Sequence, residues 1–245
     1  MIISLFSQGL SIQQIIYYLI IFLFALTLSF SVHEFMHAAT AVWLGDPTPR
    51  NMGRLTLNPI AHVDPVGTIL LLLAGFGWGK PVMYNPRNLH RFKSQRGMNI
   101  MVHLAGVTGN FAVGIVASIL AILFGSLAVK FSGTGGEVVL KALYEAFEYT
   151  YQFSMMLLAF NLLPIPPLDG FHVLEELLPY KVRQTNGYRK FQQFSPYVIW
   201  VFFILSMVTR ISVLGYVINI IKTPFEFIIN LICMPFYTLL QMAGL

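Results

Sequence analysis

The chain has 245 residues, of which 56% are hydrophobic and 10% charged, with a mean hydropathy of +0.71 and a net charge of +5. A soluble domain carries roughly a quarter charged residues, so this composition excludes a chain that faces water over most of its surface. A single cysteine, Cys233, excludes an internal disulfide and any multi-cysteine metal cluster.

The opening residues, MIISLFSQGL, lack a basic segment and a small-residue cleavage site, so the first long helix is expected to stay in the mature protein. The first apolar block runs from Ile12 to Leu44 and stops at Gly45-Asp46-Pro47, a glycine-then-proline helix stop. A helix of that length reaches roughly 50 Å, against a hydrocarbon core of roughly 30 Å. It must tilt or begin outside the bilayer. Residues 46–66 are rich in proline and asparagine, and the alternation at Arg54-Leu55-Thr56-Leu57 predicts extended structure or a short hairpin. The apolar run from Thr68 to Phe76 is too short to cross and merges into Gly75-Phe76-Gly77-Trp78-Gly79, which predicts a re-entrant or interfacial element.

A second full span covers Met98 to Val129, followed by a polar turn from Ser132 to Gly136. The next apolar stretch, Phe147 to Leu163, is broken by Pro164-Ile165-Pro166-Pro167-Leu168-Asp169-Gly170. A fourth span is expected from Tyr197 to Ile221, interrupted by Arg210, and a last block from Phe225 to Leu240 crosses or lies in the interface. The expected architecture is an all-α polytopic membrane protein with about five to six spans, a single domain over residues 1–245 without internal repeats or appended soluble domains.

Basic residues gather in two connecting segments: Lys80, Arg87, Arg91, Lys93 and Arg96, then Lys181, Arg183, Arg189 and Lys190. Both clusters lie between apolar blocks without a groove-like pattern of aromatics. Cytoplasmic loops with a positive-inside bias are therefore expected, with the lipid bilayer as a partner and no nucleic acid. On that basis helix one ends in the cytoplasm and the amino terminus lies outside. Apolar helices alone leave the oligomeric state open.

The chemistry concentrates in His33-Glu34-Phe35-Met36-His37, a H-E-x-x-H motif inside the first span. Positions i and i+4 share a helix face, so both imidazoles can reach one metal ion, and the glutamate beside them can act as general base on an activated water. A chance match in a soluble protein is common. Here three ionisable residues within five positions of a membrane helix are costly without a partner or a water-filled cavity. His33 lies roughly 16 Å along the axis from Leu44, near the middle of the hydrocarbon layer.

A catalytic zinc takes three protein ligands, and the third is expected to be Asp169. Its proline-rich segment leaves the helix at membrane depth, where irregular backbone is tolerated only if it lines a cavity or is buried in protein. Asp169 could also simply cap a helix beginning near Gly170. His172, Glu175 and Glu176 are rival ligands closer to the cytoplasmic surface.

HEFMHA on the first span and NLLPIPPLDG on a later one resemble the site-2 protease family of intramembrane zinc metalloproteases. The resemblance extends through GRLTLNPIAHVDPVGT (Gly53 to Thr68) and FGWGKPV (Phe76 to Val82), and looks like a compact prokaryotic branch without PDZ or CBS domains. It implies that His33, His37 and Asp169 bind one Zn²⁺ per chain and that Glu34 is the catalytic base. It also implies a catalytic asparagine in a glycine-proline-x-x-asparagine segment. The matching stretch is Gly106-Val107-Thr108-Gly109-Asn110, with Val107 in place of the proline. Asn110 offers an amide donor for an oxyanion, and beside Gly106 and Gly109 it could equally hold two helices together. Both readings stay open. His62 and Asp64 could gate the site or form a plain interfacial turn; His90 and His103 read as structural; Asn161 could organise the proline segment.

The resemblance implies a zinc-dependent endopeptidase cleaving transmembrane protein or peptide substrates within or beside the bilayer, in a prokaryotic plasma membrane and reached from the cytoplasmic side. A cation or proton transporter would explain buried charge but not the His-Glu-x-x-His spacing. A catalytically silent scaffold is opposed by the completeness of the motif.

Overall fold

A computed structural model describes residues 9–74, 77–209 and 212–244, with Leu72, Ala74, Phe203 and Met207 described by backbone alone. The readings that rest on the first eight residues, on Gly75-Phe76 and on Arg210 fall outside the described residues. Ten α-helices and two 3₁₀ turns are described: α1 Ile12–Leu44, α2 Thr48–Asn51, α3 Pro65–Ala74, α4 Gln95–Lys130, α5 Gly135–Asn161, α6 Asp169–Leu177, α7 Tyr180–Arg183, α8 Asn186–Phe194, α9 Pro196–Thr209 and α10 Val213–Met242, with turns at Pro59–Ala61 and Pro86–Asn88. No strand occurs among the described residues.

α1 has the bounds its apolar run predicts. Ser11 opens it with a capping box: its hydroxyl accepts from the Gln14 amide and its own amide donates to Gln14 Oε1. Gly45 closes it at φ 117°, a left-handed conformation that a side chain would strain. α4 starts at the Ser94 cap and turns back at residues 131–134 into antiparallel α5. α1, α4 and α5 pack closely because their contacts are small: Ala25, Ala38, Ala41, Ala105, Ala117, Ala121 and Ala159 are buried, and Gly109 and Gly114 receive Met36 and Met155. Ser29 and Ser154 share a buried 2.7 Å hydrogen bond between α1 and α5. α10 joins through Ile229 and Cys233 against Val107, Met155 and Leu158.

Three described helices are long and apolar enough to cross a membrane: α1, α4 and α10. The expected count of five to six is not reached by length and composition. The charges Glu137, Lys141, Glu145 and Glu148 occupy the first half of α5, and the expected fourth span is divided between α9 and α10. The protein is nonetheless an all-helical, multi-pass membrane protein.

The expected extended segment after α1 takes another form. Pro49 lies in the first turn of the short helix α2, Asn58 caps the turn at Pro59 by accepting from the Ile60 amide, and residues 54–57 between them have no partner strand among the described residues. The expected short element after it is α3, a ten-residue helix spanning about 15 Å, half a bilayer core. The chain then doubles back, passing so close that a Cβ at Gly67 would stand 2.0 Å from the Trp78 carbonyl oxygen. Residues 77–85 carry no helix or strand and run along α1 towards the site. Asp46 ties this segment to the end of α1. It is fully buried and accepts from the Thr48 amide and hydroxyl, the Asn85 amide and Asn88 Nδ2.

Candidate metal centre

His33 and His37 lie one turn apart on α1, with ring centroids 4.7 Å apart. Their Nε2 atoms approach to 3.1 Å. The proline-broken segment after α5 carries Asp169, the first residue of α6, up to the same point, with Oδ2 at 3.3 Å from both Nε2 atoms. Gly170 permits the approach, since a Cβ there would stand 2.3 Å from the Leu162 carbonyl oxygen. The Asp169 side chain therefore does more than begin a helix: it faces the histidines.

The tautomers follow from the second nitrogens. His33 Nδ1 donates to Asn110 Oδ1 at 3.2 Å, and His37 Nδ1 donates to the Val102 carbonyl at 2.7 Å. With the rings neutral, as metal ligands must be, each Nε2 is then an unprotonated lone pair. Two lone pairs at 3.1 Å with a carboxylate oxygen 3.3 Å from both repel one another, and that oxygen is buried without a hydrogen-bond partner. A cation among them turns the repulsion into coordination. Bonds of about 2.0–2.1 Å at tetrahedral angles put ligand atoms about 3.3–3.4 Å apart, close to the three separations observed. Among the described residues, this is the group of three whose donor atoms converge for a metal ion. The residues fit zinc.

Gly106 on α4 supplies the room. A Cβ there would stand 2.4 Å from His37 Nε2 and 2.5 Å from His33 Cε1. Glu34, buried beside the histidines, accepts from the Val82 amide at 3.0 Å through Oε2; no other hydrogen bond to its carboxylate occurs among the described residues. Asn110 is fully buried, with its carbonyl oxygen on His33 and its Nδ2 donating to the Ser154 carbonyl. It thus stands behind a histidine ring and also joins α4 to α5.

The rival ligands lie elsewhere. Glu175 accepts from the Tyr188 hydroxyl, Glu176 from Asn99 Nδ2, and His172 stacks on His103 at 4.7 Å. His103, expected to be structural, also contacts the Tyr84 hydroxyl through Nε2 and lies one turn before Gly106. Asp64 starts α3 by accepting from the Gly67 amide, while buried His62 pairs with the Thr56 carbonyl, so neither reaches the site. His90 bonds the Asn88 carbonyl. Asn161 bonds back to the Leu157 carbonyl of its own helix rather than organising the prolines. The contacts of Val82 and Val102 use backbone atoms, which no side-chain pattern announces; the signal for Gly106 was its place in the glycine-spaced run before Asn110. An apolar cavity of about 300 Å³ opens one turn before His33, lined by Leu23, Phe30, Trp78, Met156, Phe160 and Ile218 among others.

Residues 21–207 match Peptidase family M50. The match covers more than half of the chain, and the chain belongs to that family. It is 41% identical over 161 residues to "Putative zinc metalloprotease YwhC" of Bacillus subtilis, covering 64% of this chain and 69% of the relative. It is 31% identical over 153 residues to "Putative zinc metalloprotease Rip2" of Mycolicibacterium smegmatis, covering 60% of this chain and 53% of the relative. Against the protein of the same name from Mycobacterium tuberculosis the identity is 33%, with 60% and 53% covered. The chain thus spans about half the length of the Rip2 proteins. No solved structure matches it.

Proposed function

We propose that the chain is a zinc-dependent endopeptidase that hydrolyses peptide bonds of membrane-protein substrates within or next to the bilayer. The observation that carries this reading is the convergence of two Nε2 atoms and one carboxylate oxygen buried without a hydrogen-bond partner, with both Nδ1 atoms already engaged. His33, His37 and Asp169 hold the ion. When bound, zinc supplies a Lewis acid that polarises the scissile carbonyl and acidifies water. Glu34 is the general base: the Val82 amide fixes one carboxylate oxygen and leaves the other free to take a proton.

Asn110 acts as a positioning residue, since its carbonyl oxygen selects the His33 tautomer and holds the ring. The apolar cavity beside Phe30 matches the side chains of a membrane-embedded segment. The domain is single. The positive-inside bias of the basic segments that follow α1 supports a cell-membrane topology with the carboxyl-terminal end of α1 in the cytoplasm, the amino terminus outside and the site reached from the cytoplasmic side.

The test is cleavage of a panel of single-span membrane substrates by purified protein in detergent, wild type beside Glu34→Gln, with zinc measured on the same samples. Wild type should cleave and the variant should not, at equal zinc content. Cleavage by the variant would remove Glu34 as the base.

A further inference from the structure

The third membrane-length helix carries a feature that the metal centre does not use. α10 lies beyond residue 207, where the family match ends, and it is the least packed of the three: 11% of its most apolar window is buried, against 28% for α1 and 22% for α4. Its inner side meets the bundle through Ile218, Ile221, Phe225 and Ile229. The Phe225 ring touches Phe111, the neighbour of Asn110, with centroids 5.8 Å apart, so this part of α10 stands level with the metal centre. At that depth α10 presents Asn219, Lys222, Thr223, Glu226 and Asn230. At 100° per residue these five lie within an arc of about 100°, over roughly 16 Å of axis.

Lys222 and Glu226 pair at 3.0 Å along the helix, both partly exposed. Asn219 and Asn230 are exposed, and neither amide has a partner among the described residues. Ionisable and amide groups are costly against lipid, and on membrane helices such groups join one helix to another. Exposed Tyr216, Phe227 and Met234 flank the polar groups on one side.

We infer that this face of α10 is the contact through which two copies of the chain pair in the bilayer, about a two-fold axis along the membrane normal. Two copies in one membrane share an orientation, so a two-fold contact brings the same face of each helix together. The face is complementary to itself. An asparagine amide both donates and accepts, so Asn219 and Asn230 can each pair with their own counterpart. One cation and one anion, four residues and about 6 Å of rise apart, can exchange partners across the axis without leaving a charge over.

The test uses the full chain in membranes, in a Cys233→Ala background. On oxidation, Asn230→Cys should give a disulfide-linked dimer, while Ile228→Cys, exposed on the opposite face of the same turn, should give little. In liposomes of increasing lipid dilution, energy transfer between labelled copies should report a dimer. The Asn219→Leu/Asn230→Leu variant should need about tenfold less dilution to separate. Zinc content checks that the variant is folded. Equal cross-linking at both positions, a wild type that is single at every dilution, or a variant that pairs like the wild type would each overturn the inference.

Discussion

Replacing Gly106 with alanine perturbs the metal centre through one carbon atom. The new Cβ would stand 2.4 Å from His37 Nε2, 2.5 Å from His33 Cε1 and 2.7 Å from His33 Nδ1. Ordinary contact at such atoms begins at about 3.5 Å, so each ring must move by about 1 Å or α4 must back away. Helix α4 is held by Asn110, Ala105 and Val107, all buried, so the rings are the softer side. Metal bonds tolerate about 0.2 Å, and loss of an outer partner alone weakens zinc about 10–100-fold. Gly106→Ala should therefore weaken zinc by more than about 100-fold and abolish cleavage. Helix content should hold, since alanine is favoured over glycine in a helix by about 1 kcal/mol. Competition against a graded chelator, with circular dichroism on the same samples, measures both. Gly135→Ala, where nothing lies within 4 Å of the new carbon, is the control. Zinc retention by Gly106→Ala equal to that of the control would refute the geometry.

Asn110→Ala should lower zinc affinity by about 10–100-fold through loss of the His33 acceptor, read by the same competition. Val82→Pro removes the amide that holds Glu34; a hydrogen bond to a charged group is worth about 1.5–3 kcal/mol, so kcat should fall by about 10–150-fold at unchanged zinc content. Burial would raise the Asp46 carboxyl, but the bonds from Thr48, Asn88 and Asn85 outweigh it and hold it below the ordinary 3.8. A lowered folded value means that the carboxylate stabilises the fold above pH 3.8 and loses that contribution as pH falls through the folded value. Asp46→Asn should thus cost about 1–3 kcal/mol at neutral pH, with the gap to wild type in thermal unfolding narrowing below about pH 4.

The long-range order of the chain was legible wherever one periodicity ran uninterrupted. α1 ends at Leu44 because Gly45 takes a conformation that suits glycine, and that stop is written in three adjacent residues. The histidine pair was legible for the same local reason, and Asp169 because prolines inside an apolar stretch need a cause. What escaped notice depends on contacts distant in sequence. Val102 and Val82 act through backbone atoms, and any residue but proline supplies the Val82 donor. The alternation at Arg54–Leu57 suggested a strand, but a strand needs a partner edge, and residues 77–85 return without forming one. The count of five to six spans is not confirmed by length and composition, and at α5 a charged first half and an apolar second half form one continuous helix.

X-ray absorption at the zinc edge, on the full chain purified without added chelator, tests the central claim most directly. One zinc per chain with two imidazole nitrogens and a carboxylate oxygen at about 2.0–2.2 Å, its first shell altered in Asp169→Asn, is the predicted result. A metal-free protein, a sulfur ligand, or a spectrum unchanged by Asp169→Asn would contradict the site.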